Sequence, residues 1–167
     1  MTIADFDHLD VAGRRRLLKQ CCNSDVWVKK MLAIFPIQNL VDLLEYAEEE
    51  WYECNPAEWL EAFQSHIRIG DIGSIENNIT INADWVKNEQ AVFFKASPDI
   101  LRDLEKKNNE YEEVFGYNFV VYTKGKSIEN ILSELSERIK NDPHDELIIA
   151  AGEQNKITQS RLQLLFS

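Results

Sequence analysis

Apolar side chains recur at the spacing of an α-helix along nearly the whole chain, and this periodicity limits the fold more than any other feature. Leu40, Leu43, Leu44, Ala47 and Trp51 form one stripe at i, i+3, i+4, i+7 and i+11. Ile128, Ile131, Leu132, Leu135 and Ile139 repeat the pattern, as do Ile100, Leu101, Leu104 and Tyr111. Each stripe requires an apolar partner, so the helices must pack on one another. The start signals agree. Asn55-Pro56 with Glu58 reads as N-cap, N1 and N3, and Asp142-Pro143 with Asp145 repeats it. Ser97-Pro98 and Ser127 open two further helices. Helices are therefore expected near 8–21, 24–34, 37–52, 56–66, 83–95, 98–114, 127–140 and 143–165. Residues 70–82, with Gly70, Gly73, Asn77 and Asn78, read as a loop, and the aromatic and β-branched stretch 117–123 reads as a short extended segment. Neither an internal repeat nor an interdomain linker is visible. The expectation is an all-α fold: one domain over residues 1–167, a compact bundle of about eight helices with one long loop.

Composition narrows what such a bundle can do. With 44% apolar residues, four Trp, eight Phe and only six Gly, the chain can bury a core and does not read as disordered. No apolar run approaches the roughly 20 residues that cross a bilayer. Met1 to Asp10 is acidic and lacks the basic and apolar regions of a secretory signal, so a cytoplasmic protein is expected. A formal net charge of −11 repels phosphate backbones and anionic membranes, and an anionic ligand would need a local cationic anchor. Cys21, Cys22 and Cys54 are odd in number, two of them adjacent, which is a poor disulfide framework and fits a reducing compartment. His8, His66 and His144 have no metal-ligand spacing, and no metal site is expected.

The informative residues are polar ones in apolar company. Trp85, Glu89, Val92, Phe93 and Ala96 share one helical stripe, with Gln90 beside it between Val86 and Phe94. Glu89 would be desolvated there, unless it lies at the stripe's edge and reaches water. Arg161, four residues from both Ile157 and Leu165, needs an anion, either a structural carboxylate or a ligand, or it snorkels to solvent. His66 closes the helix bearing Trp59, Leu60 and Phe63; the helix dipole is a sufficient reason for it, and acid–base chemistry is the other. A His, a Glu, a Gln and an Arg could thus converge on one anionic ligand, but these residues name no reaction. No nucleophile elbow, phosphate loop or dinucleotide fingerprint is present, and Cys21 and Cys22 read as core.

The same residues carry a family likeness. Cys22 to Trp27 with Met31; Trp59, Leu60 and Phe63 followed by His66 to Asp71; Glu89-Gln90-Ala91; Tyr111 with Phe115, Gly116, Tyr117 and Phe119; Gly125-Lys126-Ser127; and Glu153, Lys156-Ile157-Thr158 with Arg161-Leu162 occur in one order over nearly the whole chain. In this the chain resembles the 2-oxo-4-hydroxy-4-carboxy-5-ureidoimidazoline (OHCU) decarboxylases, which carry out the last step from urate to allantoin. The resemblance implies an all-α fold, usually a homodimer, that acts on a small anionic ureide without metal or organic cofactor. It makes His66 the catalytic histidine, with Glu89 and Gln90 holding the ureido and ring groups. It makes Arg161 a contact to a substrate oxygen or carboxylate, and it puts the backbone around Phe119 and Val121 against the ligand.

The chemistry suits these residue types. Loss of CO₂ leaves electrons on carbon, delocalised into the adjacent imine–carbonyl system, and donors fixed where that charge develops lower the barrier. A histidine beside the hydroxyl and carboxylate can move the proton, and protonation from one face gives a single enantiomer of allantoin. Because the ring is its own electron sink, no cofactor is required. The chain departs from the family pattern at two pocket positions: Ile67 stands where the family usually has proline, and Val86 where it usually has serine. These departures favour a second reading, a family member acting on a related ureide or hydroxy-imidazole. A third, from another class, is a non-catalytic acidic helical module that binds a protein partner. It would show a broad apolar patch and no closed polar pocket.

Overall fold

The computed structural model describes residues 1–79 and 82–167, and these form ten α-helices and one 3₁₀ helix with no strand among the described residues. They group into two compact units, Met1–Ala62 with Gln154–Ser167, and Phe63–Glu153.

The first unit holds α1 (Ile3–Asp7), α2 (Val11–Cys21), α3 (Asp25–Ala33), α4 (Leu40–Tyr52), most of α5 (Pro56–Gln64) and the end of α10 (Pro143–Leu165). Capping side chains fix where its helices begin. Asp10 accepts from the Gly13 N–H at 2.7 Å and Asn39 from Asp42 at 2.9 Å. Asn55 and Glu58 cap each other reciprocally, as their spacing predicts. α2 packs on α3 and α3 on α4. Their stripes bury Leu18, Trp27, Val28, Met31, Leu43, Ala47 and Trp51. The buried Trp27 indole donates to the Ala47 carbonyl at 3.0 Å, and the half-buried Trp59 indole to the Trp51 carbonyl at 2.9 Å. A buried Trp N–H needs such a partner.

The second unit contains α6 (Ile72–Glu76), α7 (Ala83–Glu89), the 3₁₀ helix Ala91–Lys95, α8 (Pro98–Phe115), α9 (Ile128–Arg138) and the first part of α10. Ser97 and Ser127 cap α8 and α9 as their positions predict. Asp142 takes the His144 N–H at 2.9 Å at the start of α10, but Asp145 makes no reciprocal bond among the described residues. α8 ends at Gly116, in the left-handed region at φ 79°, whose N–H bonds to the Glu112 carbonyl. α8 and α9 pack together around Leu104, Tyr111, Ile131 and Leu135.

Four expectations need correction. The helix expected over 8–21 begins only at Val11, after extended backbone at the Asp10 cap, and a separate short helix, α1, precedes the expected span. The one expected from residue 37 begins at Leu40, after the Asn39 cap. The loop expected over 70–82 contains α6, started by the Asp71 carboxylate on the Ser74 N–H at 3.1 Å and secured by the fully buried Ile75; its positions 80 and 81 lie outside the described residues. The helix expected over 83–95 ends at Glu89 and resumes as a 3₁₀ turn, which breaks the stripe running from Trp85 to Ala96. Residues 117–123 carry no regular hydrogen-bonded structure. Among the described residues no helix is long and apolar enough to cross a membrane.

Candidate functional site

Seven of the eight residues singled out in the sequence belong to the second unit: His66, Ile67, Val86, Glu89, Gln90, Phe119 and Val121. Arg161 belongs to the first. The seven come from three stretches of chain, and hydrogen bonds to the backbone tie the stretches together.

The first stretch is the turn from His66 to Gly70, just after α5. Every carbonyl in it is bonded. Asn118 Nδ2 donates to His66 O at 3.1 Å, Gln90 Nε2 to Ile67 O at 3.2 Å, and Asn108 Nδ2 to Ile69 O at 3.1 Å. The Arg68 carbonyl takes the Asp71 N–H and the Gly70 carbonyl takes the Ile72 N–H. Arg68 itself is clamped by both oxygens of Glu112, at 2.7 Å and 2.5 Å, and by Asn109 at 2.8 Å. A bidentate pair of this kind fixes direction as well as charge. Gly70 sits at φ 77°, and an added Cβ there would lie 3.0 Å from Leu104 Cδ1. His66, itself half-buried, is therefore presented by a turn with little freedom to move.

Gln90 has a role that its sequence position did not suggest. Its side chain is buried, its Oε1 accepts from the Gly70 N–H at 3.0 Å, and its Nε2 donates to Ile67 O. The amide thus spans the turn and satisfies both of its ends. The change from α to 3₁₀ geometry occurs at this residue, with φ −105° and ψ 15°. Such a conformation is compatible with a kinked junction rather than continued helix. A primary amide has two N–H groups, so one remains beyond the bond to Ile67. Glu89, half-buried, ends α7, and its carbonyl accepts from the Thr123 hydroxyl. Val86 is buried one turn earlier.

The third stretch, around Phe119 and Val121, is buried without a sheet to hold it. Arg138, from the end of α9, lies 4.4 Å over the Phe119 ring and donates to Val120 O at 2.9 Å. Arg138 is in turn paired with Glu146, which is fully buried and accepts from Tyr111 OH at 2.6 Å and Asn141 at 3.0 Å. Burial opposes charge on Arg138, but the Glu146 carboxylate outweighs it and raises the guanidinium pKa further. Burial and the bond to Glu146 push the Tyr111 phenol well above its ordinary range.

In the first unit, buried Arg161 donates from Nη1 to the Gln20 carbonyl at 3.0 Å, near the C-terminal end of α2, where a cation is favoured. Cys22, close enough to feel that charge, is fully buried, and burial pushes its thiol up to about 12. That suits a core residue and not a nucleophile. Among the described residues no group of His, Cys, Asp and Glu side chains could hold a metal ion.

Sequence reasoning missed Asn108, Asn118, Arg68 with Glu112, and the Arg138–Glu146–Tyr111 cluster. Asn108 carried a signal, since it stands four residues after Leu104 and three before Tyr111 on the apolar stripe of α8. Arg138 carried one too, three residues after Leu135 on the stripe of α9. Asn118 carried none.

Comparison with known proteins agrees with this architecture. A family model for OHCU decarboxylase matches residues 7–163. The chain is 34% identical over 150 residues to the uric acid degradation bifunctional protein TTL of Arabidopsis thaliana, covering 89% of this chain and 46% of that protein. It is 40% identical over 60 residues to 2-oxo-4-hydroxy-4-carboxy-5-ureidoimidazoline decarboxylase of Amia calva, covering 36% of this chain and 34% of that one. The chain thus spans less than half the length of these curated relatives. A crystal structure of OHCU decarboxylase in the presence of (S)-allantoin superposes with a TM-score of 0.75 at 31% identity, over 90% of this chain and 97% of that one. A family match that runs through the His66 turn, the Glu89-Gln90 junction and Arg161, joined to this agreement in fold, means that the chain belongs to the OHCU decarboxylase family.

Proposed function

We propose that the chain, acting as one domain, decarboxylates OHCU to (S)-allantoin and CO₂ in urate breakdown, without metal or organic cofactor. The observation that carries this reading is the His66 turn. An acid–base group held to a fixed position by bonds to its own backbone is pre-organised for proton transfer, which lowers the reorganisation needed at the transition state. His66 moves the proton at the hydroxyl and carboxylate. Glu89 and the remaining N–H of Gln90 hold the ureido and ring groups, and backbone at Phe119 and Val121 supplies further polar contacts. Arg161 is assigned to a substrate oxygen or carboxylate on the family likeness alone. On the same likeness the protein is a homodimer, and its three cysteines, odd in number and two of them adjacent, favour a reducing, cytoplasmic compartment.

Ile67 and Val86 favour a second reading, a relative tuned to another ureide. Val86 offers no hydroxyl to a substrate, and its side chain is buried. Freshly generated OHCU followed by absorbance and circular dichroism decides between them. The decarboxylase reading expects loss of OHCU well above its spontaneous decay, with (S)-allantoin as the single enantiomer. Decay at the spontaneous rate, with turnover of a different ureide, establishes the second reading. Inertness toward every ureide leaves the protein-binding module.

A further inference from the structure

From Tyr117 to Tyr122 the chain has neither helical nor sheet hydrogen bonding, yet Phe119, Val120 and Val121 are only 4%, 2% and 5% exposed. Buried backbone groups are almost always paired. In this stretch, among the described residues, one backbone group accepts a hydrogen bond from the chain, the Val120 carbonyl, and its donor is Arg138. That carbonyl and the Val121 N–H belong to the same peptide plane and, in a trans peptide, point in opposite directions. Holding the carbonyl therefore aims the N–H. The guanidinium over the Phe119 ring fixes the residue on the other side of Val120. Glu146 anchors Arg138 through Oε1, at 2.8 Å from Nε and 2.7 Å from Nη2, while the Tyr111 hydroxyl donates to the same oxygen and Asn141 to Oε2. Three helices thus converge on one peptide unit.

We propose that Arg138 is a positioning residue which aims the Val121 N–H at the bound ureide, with Glu146 and Tyr111 holding Arg138 in place. This inference rests on the decarboxylase reading above. It assigns the buried cluster a part in ligand binding rather than in stability alone. The bond to the Val120 carbonyl links that cluster to the backbone that the family resemblance puts against the ligand.

The test uses three readouts on the full chain: KM and kcat with OHCU, Kd for (S)-allantoin by calorimetry, and amide hydrogen exchange at Val121. Arg138→Lys keeps a charge for Glu146, but a single ammonium cannot serve Glu146 and the Val120 carbonyl in one planar fork. KM and Kd should rise together, roughly five- to tenfold, with kcat within about twofold, as expected when a uniform binding contact is lost. Tyr111→Phe removes one bond to Glu146 and should shift both in the same direction by less. (S)-Allantoin should slow exchange of the Val121 amide in the wild type and fail to do so in Arg138→Lys. Variants with lowered Tm but wild-type KM and Kd overturn the positioning role while the decarboxylase reading stands. Should Arg138→Lys not fold, Tyr111→Phe and the wild-type exchange data decide, and an amide unprotected by (S)-allantoin overturns the proposal. A wild type that neither turns over OHCU nor binds (S)-allantoin overturns both readings together.

Discussion

His66 and Gln90 sit at the two ends of one hydrogen-bonded arrangement, and substitution separates what each does. In His66→Ala the His66 carbonyl still accepts from Asn118, so the turn keeps its shape while the imidazole is lost. The expected outcome is a fall of ~10²–10⁴ in kcat with an unchanged helical spectrum; a folded mutant with near wild-type turnover would make His66 structural. Gln90→Leu does the reverse. It leaves Ile67 O and the Gly70 N–H without their partner, at a cost of about 1–3 kcal/mol for each buried group, measurable by urea unfolding. Gln90→Glu should fall between, since a carboxylate still accepts from Gly70 but faces the Ile67 carbonyl as a second acceptor. His66, Glu89, Gln90 and Arg161 were all legible as candidates because each is polar beside an apolar stripe. The bracing role of Gln90 was not legible. It depends on contacts with residues more than a turn of chain away in sequence, which helical periodicity does not report.

Elements were most legible where local chemistry decides them. The caps at Asn55, Ser97 and Ser127 and the span of α10 follow from side chains within a few residues of each boundary. The failures come where tertiary contacts override the local pattern. The 3₁₀ turn after Glu89 keeps Phe93 fully buried and lets Gln90 reach the 67–70 turn, at the expense of continuous helix. The segment 117–123 has strand-forming residues but, among the described residues, no neighbouring strand, so its order comes from side-chain bonds at Asn118, Thr123 and Arg138. Two glycines at similar φ test how much an element boundary matters to the site. Gly70→Ala and Gly116→Ala should each cost roughly 1 kcal/mol from left-handed backbone. Only Gly70→Ala also meets Leu104 Cδ1 at 3.0 Å, whereas an added Cβ at Gly116 meets nothing within 4 Å. A larger loss of Tm in Gly70→Ala, with kcat/KM reduced in that variant alone, is the expected pattern. Equal kinetics in both would show that the His66 turn tolerates displacement.

The whole molecule carries a formal charge of −11, and its acid response follows from how the carboxylates are paired. Burial raises the pKa of Glu134, but Lys126 at 2.5 Å outweighs it and holds the group below the usual glutamate range. Asp25 is lowered by its bond to Lys19. A folded-state pKa below the unfolded value contributes stability that is present above the unfolded pKa and lost as pH falls through the folded one. Relief of net repulsion acts the other way until the isoelectric point near 4.7. Tm should therefore change little down to that point and drop below it, and a Tm that keeps rising at about pH 3 would refute the pairing argument. At the same scale, sedimentation at micromolar concentration should give the mass of a dimer, and a monomer would contradict the assignment drawn from the family.

The turn that presents His66 is gripped through its carbonyl oxygens, and every amino acid has a carbonyl oxygen. Side-chain identity at position 67 is therefore largely uncoupled from the fold. Ile67 offers the scaffold its C=O, and among the described residues its N–H donates to no acceptor in the chain, so proline at this position removes no hydrogen bond. Ile67→Pro should then leave unfolding free energy almost unchanged while altering KM, a result that calorimetry beside kinetics would show. A scaffold addressed in this way lets the side chain at position 67 change without passing through an unfolded intermediate, while the architecture around the histidine stays still.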